Sequence, residues 1–197
     1  NENHEYTGGP LLDFLNPYAI MVGITTLALF MAHGAIYLLM KTEGKLYAHI
    51  AILLKKGMIF FMVTFGITSL YTLLYIPHLS DSFRDSPALF VVPLAVFLSI
   101  ANVPRLASKK KYQQAFIFTS LTAALLLVLV AIELYPTLLI STTDPENNIT
   151  IYNAASSEKS LGIMLTIAAI GAPLVLFYTA FVYKTFRGKV KIDETSY

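Results

Sequence analysis

The sequence predicts an all-α integral membrane protein, a bundle of five transmembrane helices with the N-terminus outside and the C-terminus in the cytoplasm. Three observations support this fold class. The 197 residues are 56% hydrophobic and only 13% charged. Their mean hydropathy of +0.64 is typical of membrane proteins rather than soluble domains. Five long apolar runs divide the chain, and the polar segments between them alternate in the sign of their charge.

This alternation predicts how the chain crosses the membrane. The segment before residue 17 has a net charge of −3, and the following segments have +3, −1, +4, −2 and +2. Because basic loops are retained on the cytoplasmic side, this order of signs agrees with one threading of five spans. The chain does not start with Met, and an odd number of spans beginning outside predicts the C-terminal part of a longer protein.

The apolar runs match the length that a membrane requires, since a hydrocarbon core about 30 Å thick takes roughly 20 helical residues. Asn16 is a suitable N-cap for the first run, and Pro17 is a suitable first helical residue. Segment 46–54 is apolar and lies between lysines, which predicts an interfacial helix before the second span. A single transmembrane domain over residues 1–197 is expected, with spans at about 17–40, 57–76, 87–103, 115–135 and 161–183.

Two prolines lie inside predicted spans, Pro93 in the third and Pro173 in the fifth. A proline inside a helix frees the carbonyl four residues earlier, here that of Leu89 or Ala169, and kinks the axis. In lipid such carbonyls need partners from neighbouring helices, so both prolines predict packed positions that face protein.

His33 is a candidate functional residue, because ionisable groups within a membrane are costly and often functional. Tyr37 follows on the same face, one turn later. One interpretation is a haem ligand or a member of a proton relay, and the other is a neutral histidine bonded to a neighbouring helix. A bis-histidine haem within the chain is excluded, since no predicted span contains a second histidine.

Glu133 is the second candidate and the only carboxylate inside a predicted span. It lies about one turn from the outer end of the fourth span, just before Tyr135-Pro136. Such a carboxylate can take part in proton movement or pair with a partner subunit, or it can extend to water at the interface. His78, in an outer loop, is interpreted as a surface residue.

Several functions are excluded or receive no signal. The chain has no cysteine, so it can form no disulfide, no iron–sulfur cluster of the usual ligation and no cysteine-ligated haem. A net charge of +2, spread over the inner loops, gives no indication of nucleic-acid binding. No nucleotide loop, zinc pattern or nucleophile–base pair is present, so the residues alone indicate a helix bundle without an evident active site.

Five strings resemble one known family. They are LNPY at 15–18, GAIYLLMKT at 34–42 followed by GKL at 44–46, ITIYNAASS at 149–157, GAPLVLFYTA at 171–180 and FRGK at 186–189. In this order they resemble the C-terminal portion of subunit II of cytochrome bd-type quinol oxidase, and the resemblance covers nearly all of the chain. The first half of that subunit is absent.

The resemblance implies an electron-transferring oxidoreductase complex of the bacterial cytoplasmic (inner) membrane, which oxidises quinol, reduces oxygen to water and contributes to the proton gradient. In that family, subunit I holds two b-type haems, one d-type haem and the quinol-oxidation loop. This chain is expected to support subunit I and to bind no cofactor itself. Its expected partners are subunit I, the N-terminal half of subunit II, membrane lipid, quinol and small accessory subunits. No catalytic, cofactor-binding or metal residue is assigned.

An alternative from another class is half of a secondary transporter, whose kinked helices would surround a substrate site. Transporter halves often contain paired, interrupted spans and buried charge. Here Pro93 and Pro173 have no repeat relation, and Glu133 is the only charge within a span. The two interpretations differ in one accessible observation, which is whether a haem-bearing partner with a d-type absorption band co-purifies.

Overall fold

A computed structural model describes residues 15–76, 87–141 and 144–188. Five of its helices are long and apolar enough to cross a membrane, which confirms the predicted number of spans. These helices are α1 Pro17–Lys41, α2 Gly44–Tyr75, α3 Val91–Ser108, α4 Tyr112–Leu134 and α5 Glu158–Thr185, with a 3-10 turn at Pro87–Phe90 leading into α3.

The start of α1 is the one that the sequence predicts. Asn16 has an extended backbone, and its side-chain oxygen accepts a hydrogen bond from the Ala19 N–H at 2.8 Å. Pro17 is the first helical residue. The cap satisfies one of the N–H groups that a helix leaves open at its first turn, so the helix starts at a defined residue.

The second helix is longer than predicted, because α2 runs without interruption for 32 residues. Segment 46–54 is therefore its first part and not a separate interfacial helix. Lys55 and Lys56 lie at the junction, and lysine is a good helix former that does not end a helix. At 1.5 Å per residue α2 is about 48 Å long, which exceeds a hydrocarbon core of about 30 Å.

The structure places one of the two predicted prolines inside a helix and the other in the first turn of a helix. Pro93 is the third residue of α3, where its missing N–H would have no helical acceptor, so the predicted kink at Pro93 is wrong. Pro104, one residue beyond the predicted end of that span, lies inside α3 instead. Pro173 lies inside α5, as predicted.

The chain divides into two compact units, Asn1–Leu129 and Val130–Tyr197. In the first unit, α1 contributes the small buried side chains of Ala28, Ala32 and Ala35, which allow helices to approach closely. One apolar cluster surrounds Ile36 and Leu39, and a second cluster contains Ala28 with residues of α2 and α3, namely Phe61, Val96 and Ile100.

The second unit contains the end of α4, a short hairpin and α5. Strands β1 (Thr137–Leu139) and β2 (Ile149–Thr150) are antiparallel, with Thr137 opposite Thr150. Helix α5 buries none of its residues in the described structure. Pro173 is exposed within this unit, and the predicted packing of this proline against protein stays a prediction.

Some sequence predictions fall outside the described residues. They concern the acidic N-terminal segment, the basic tail beyond residue 188, and an outer loop with His78, Asp81, Arg84 and Asp85.

Candidate functional site

Hydrogen bonds between hydroxyl groups join α1 to α2 near the start of α1. The hydroxyl oxygens of Thr25 and Thr68 are 2.9 Å apart, and the Thr72 hydroxyl donates to the Tyr18 hydroxyl at 3.1 Å. The Tyr18 ring also stacks on Tyr71, with ring centroids 5.8 Å apart. Each hydroxyl thereby has a partner away from water, as helices that pack in a membrane require.

His33 joins α1 to α4. Its Nδ1 lies 2.7 Å from the Thr119 hydroxyl oxygen, which is also 2.9 Å from the Phe116 carbonyl oxygen. A threonine hydroxyl has one proton to donate and two lone pairs. It can therefore donate to the carbonyl and accept from Nδ1–H of the ring. This contact favours the second interpretation of His33, a histidine bonded to a neighbouring helix.

An aromatic row continues from His33 toward the basic end of α1. The imidazole stacks on the Phe116 ring with centroids 4.3 Å apart, and Tyr37 contacts the same ring at 5.8 Å. The Lys41 Nζ lies 5.7 Å from the Tyr37 ring centroid, within the range of a cation–π contact. His33 and Tyr37 thus share one face of α1, as their spacing predicts, and both pack against α4.

A second tyrosine contact lies at this end of the bundle. The hydroxyl oxygens of Tyr47, in α2, and Tyr112, the first residue of α4, are 2.9 Å apart, and their rings meet edge to face. The sequence predicts Thr119 as a polar residue of helix packing, but sequence reasoning missed both its pairing with His33 and the Tyr47–Tyr112 pair. The signal was absent, because hydroxyl groups far apart in sequence show no pattern of their own.

The described core does not fit a haem. The cavity among α1 to α4 has a volume of about 10 Å³ and is lined by Leu29, Met58, Ile100 and mostly other apolar side chains. Such a volume holds roughly one water molecule. Within the described ranges, no three His, Cys, Asp or Glu side chains come together as a metal site. The expectation that this chain binds no haem nevertheless stays a prediction.

Glu133 belongs to the second unit, in the last turn of α4. Its side chain is half-buried. Within the part of the chain that the structure describes, no hydrogen bond or ion pair reaches its carboxylate. A carboxylate in this position is open to a partner that another subunit or water supplies.

The hairpin beyond Glu133 is held by its polar side chains. The Asn148 Oδ1 accepts from the Ser141 N–H at 2.8 Å, and the Asn153 Oδ1 accepts from the Thr150 N–H at 2.7 Å. The Tyr135 and Tyr152 hydroxyl oxygens are 3.0 Å apart, and this hydrogen bond raises the pKa of Tyr152. The string at 149–157 that carries part of the resemblance therefore forms β2 and an ordered turn.

Comparison with known proteins decides the family. A protein-family model described as cytochrome bd terminal oxidase subunit II matches residues 2–186. The chain belongs to this family. Membership confirms the resemblance carried by the sequence strings, and with the five apolar helices it establishes a multi-pass membrane protein.

Individual relatives of this family are distant but cover nearly all of the chain. It is 25% identical to cytochrome bd-I ubiquinol oxidase subunit 2 of Escherichia coli K12, over 96% of this chain and 57% of the relative. It is 29% identical to cytochrome bd ubiquinol oxidase subunit 2 of Bacillus subtilis, over 92% of this chain and 53% of the relative. The chain thus spans little more than half the length of these relatives.

Proposed function

We propose that this chain is the C-terminal portion of subunit II in a respiratory quinol oxidase of the bacterial cytoplasmic membrane. The complex would oxidise quinol, reduce oxygen to water and contribute to the proton gradient. Family membership over residues 2–186 is the observation that carries this proposal. The relatives support it, since they are ubiquinol oxidase subunits 2 and the chain spans little more than half of their length. The C-terminal assignment rests on the resemblance of the five strings.

Within this complex the chain would support a haem-bearing subunit I and leave the two b-type haems and the d-type haem to it. The cavity of the first unit is small and apolar, which supports the proposal that the haems are bound by subunit I. Helix α5 exposes large side chains such as Leu165 (71%) and Phe177 (78%), which in a membrane must be covered by lipid or by protein.

Co-purification tests the proposal directly. An affinity tag on this chain should retain a haem-bearing subunit from detergent-solubilised membranes, and the reduced eluate should show a d-type absorption band and consume oxygen with quinol. Untagged chain carried through the same column is the control. A tagged chain that is recovered folded, without any haem-bearing partner, would contradict the proposal.

The transporter alternative has no support in these observations. It requires two broken helices around a substrate site, but Pro93 lies in the first turn of α3 and leaves that helix intact. The family match is to an oxidase subunit.

A further inference from the structure

The junction of α3 and α4 forms a basic cleft, which we define by Arg105, Lys109, Lys111, Asn102 and Gln114. Its volume is about 420 Å³. The three cations are exposed, and the two amide side chains beside them offer neutral hydrogen-bond donors. Neither α3 nor α4 contains an Asp or Glu before Glu133, so no carboxylate of these two helices neutralises the cleft.

The cleft is built on a rigid turn. The Lys111 N–H donates to the Leu106 carbonyl at 3.0 Å, and the Lys110 N–H donates to the Ala107 carbonyl at 2.9 Å. Lys110 has a φ of 56°. This pair of hydrogen bonds around a left-handed residue is a Schellman motif, which ends α3 at a defined point. It therefore holds Lys109 and Lys111 beside the cleft without help from a ligand.

The lining changes from polar to apolar along α4. Leu106, Ile117 and Phe118 are the apolar residues of the cleft, and the last two lie about 8–9 Å along the helix axis from Tyr112 at 1.5 Å per residue. Ile117 is 63% exposed. In a membrane, a surface with cations at its interfacial end and exposed apolar side chains toward the hydrocarbon matches a phospholipid, which has a phosphate at one end and acyl chains at the other.

We propose that the basic cleft binds one anionic phospholipid, with the phosphate between Arg105, Lys109 and Lys111 and an acyl chain along Ile117 and Phe118. The guanidinium of Arg105 can form two parallel hydrogen bonds to phosphate oxygens, and the lysines add point charges. This site depends on insertion of the chain in a membrane and not on the proposed oxidase function.

Lipid binding to the purified protein tests the proposal. The chain, extracted with the subunits that accompany it and then delipidated, is titrated with phosphatidylglycerol or phosphatidylcholine, and bound lipids are counted by native mass spectrometry. One phosphatidylglycerol per chain should bind at least about tenfold more tightly than phosphatidylcholine. Each cation near an anionic lipid contributes a factor of roughly five, so R105Q/K109Q/K111Q should weaken this binding by roughly a hundredfold.

The variant K55Q/K56Q is the matched control, because it removes two exposed cations of α2 that lie outside the cleft. It should bind phosphatidylglycerol like the wild type. If the triple variant fails to assemble, the single variant K111Q should still show a loss of roughly fivefold.

Four outcomes would overturn the proposal. The first is equal affinity of the wild type for the two lipids, and the second is undiminished phosphatidylglycerol binding in the cleft variants. The third is displacement of the lipid by excess inorganic phosphate, which would assign the cleft to a free anion. Protection of Lys109 and Lys111 from amine modification after complete delipidation would equally contradict it, because an acidic protein segment would then occupy the cleft.

Discussion

At the scale of single residues, His33 is held by contacts that a structural side chain requires. Its hydrogen bond to Thr119 and its stacking on Phe116 fasten α1 to α4. We expect His33→Ala to leave every haem band of the assembled complex in place and to lower its thermal stability. The lost hydrogen bond alone accounts for about 1 kcal/mol. Absorption spectra and thermal unfolding of the purified complex measure both effects.

Thr119→Val is the matched variant for this prediction, because it keeps the side-chain shape and removes the hydroxyl group that His33 contacts. It should also retain the haem bands and lose stability by about 1 kcal/mol. Loss of one b-type band in His33→Ala, with unchanged subunit levels, would identify His33 as a ligand.

Glu133 is the residue whose function depends on what surrounds the chain. A charged carboxylate near the membrane interface costs less than one at the midplane, where insertion scales give roughly 2.5–3.5 kcal/mol for Asp. We expect Glu133 to face another helix or subunit I, so that Glu133→Gln lowers quinol oxidase turnover or the yield of the complex. Purified yield and oxygen consumption across the working pH range measure these quantities.

Glu146→Gln is the control for this variant, since Glu146 is an exposed acid of the hairpin in the same unit. It should leave both yield and turnover unchanged. Wild-type yield and turnover of Glu133→Gln at every pH would show that Glu133 is a solvated surface acid.

At the scale of elements, the α3–α4 turn contains a residue in a conformation that glycine adopts more easily. Lys110, with a φ of 56°, occupies the left-handed position of the Schellman motif. A side chain there meets a steric cost that glycine avoids, so Lys110→Gly should stabilise the protein by about 1 kcal/mol. For a chain of this size that corresponds to about 2–4 °C in the midpoint of thermal unfolding.

Lys109→Gly provides the contrast, because Lys109 has a φ of −84° that any residue adopts. Glycine at that position only adds freedom to the unfolded chain, and we expect destabilisation of about 0.5–1 kcal/mol. Equal effects of the two substitutions would show that the backbone conformation of Lys110 is not the cause.

Prediction of the elements from sequence succeeded where one local signal decides the outcome. Asn16-Pro17 predicts the start of α1 because a cap and a first-turn proline act within one turn. The error at Pro93 arose because the third span was predicted to be helical from residue 87, whereas residues 87–90 form a 3-10 turn and the α-helix begins only at Val91. The lysines at 55 and 56 led to the prediction of two segments in α2, although lysine is a good helix former that does not end a helix.

At the scale of the whole molecule, hydropathy predicts the spans but not their contacts. A span of about 20 apolar residues is dictated by the thickness of the bilayer, so each span can be recognised by itself. The contact between His33 and Thr119 joins residues 86 apart in sequence, and nothing in either helix specifies the other. The basic cleft could be predicted only in part. Its lysines are evident in the sequence, whereas its apolar wall becomes apparent only when α3 and α4 are placed side by side.

The charges of the loops predict the orientation of the whole chain, because loops rich in lysine and arginine are retained in the cytoplasm. We predict that Lys45 and Lys110 face the cytoplasm, whereas Asp81, which lies outside the described residues, and Asp144 face outward. These 197 residues contain no cysteine, so a single cysteine introduced at each position is the one thiol in them that the reagent can modify. An impermeant thiol reagent applied to intact cells should modify positions 81 and 144 only, and all four positions should react after permeabilisation. Labelling of position 110 in intact cells would show that the chain has the opposite orientation. The basic cleft would then bind a lipid of the outer leaflet.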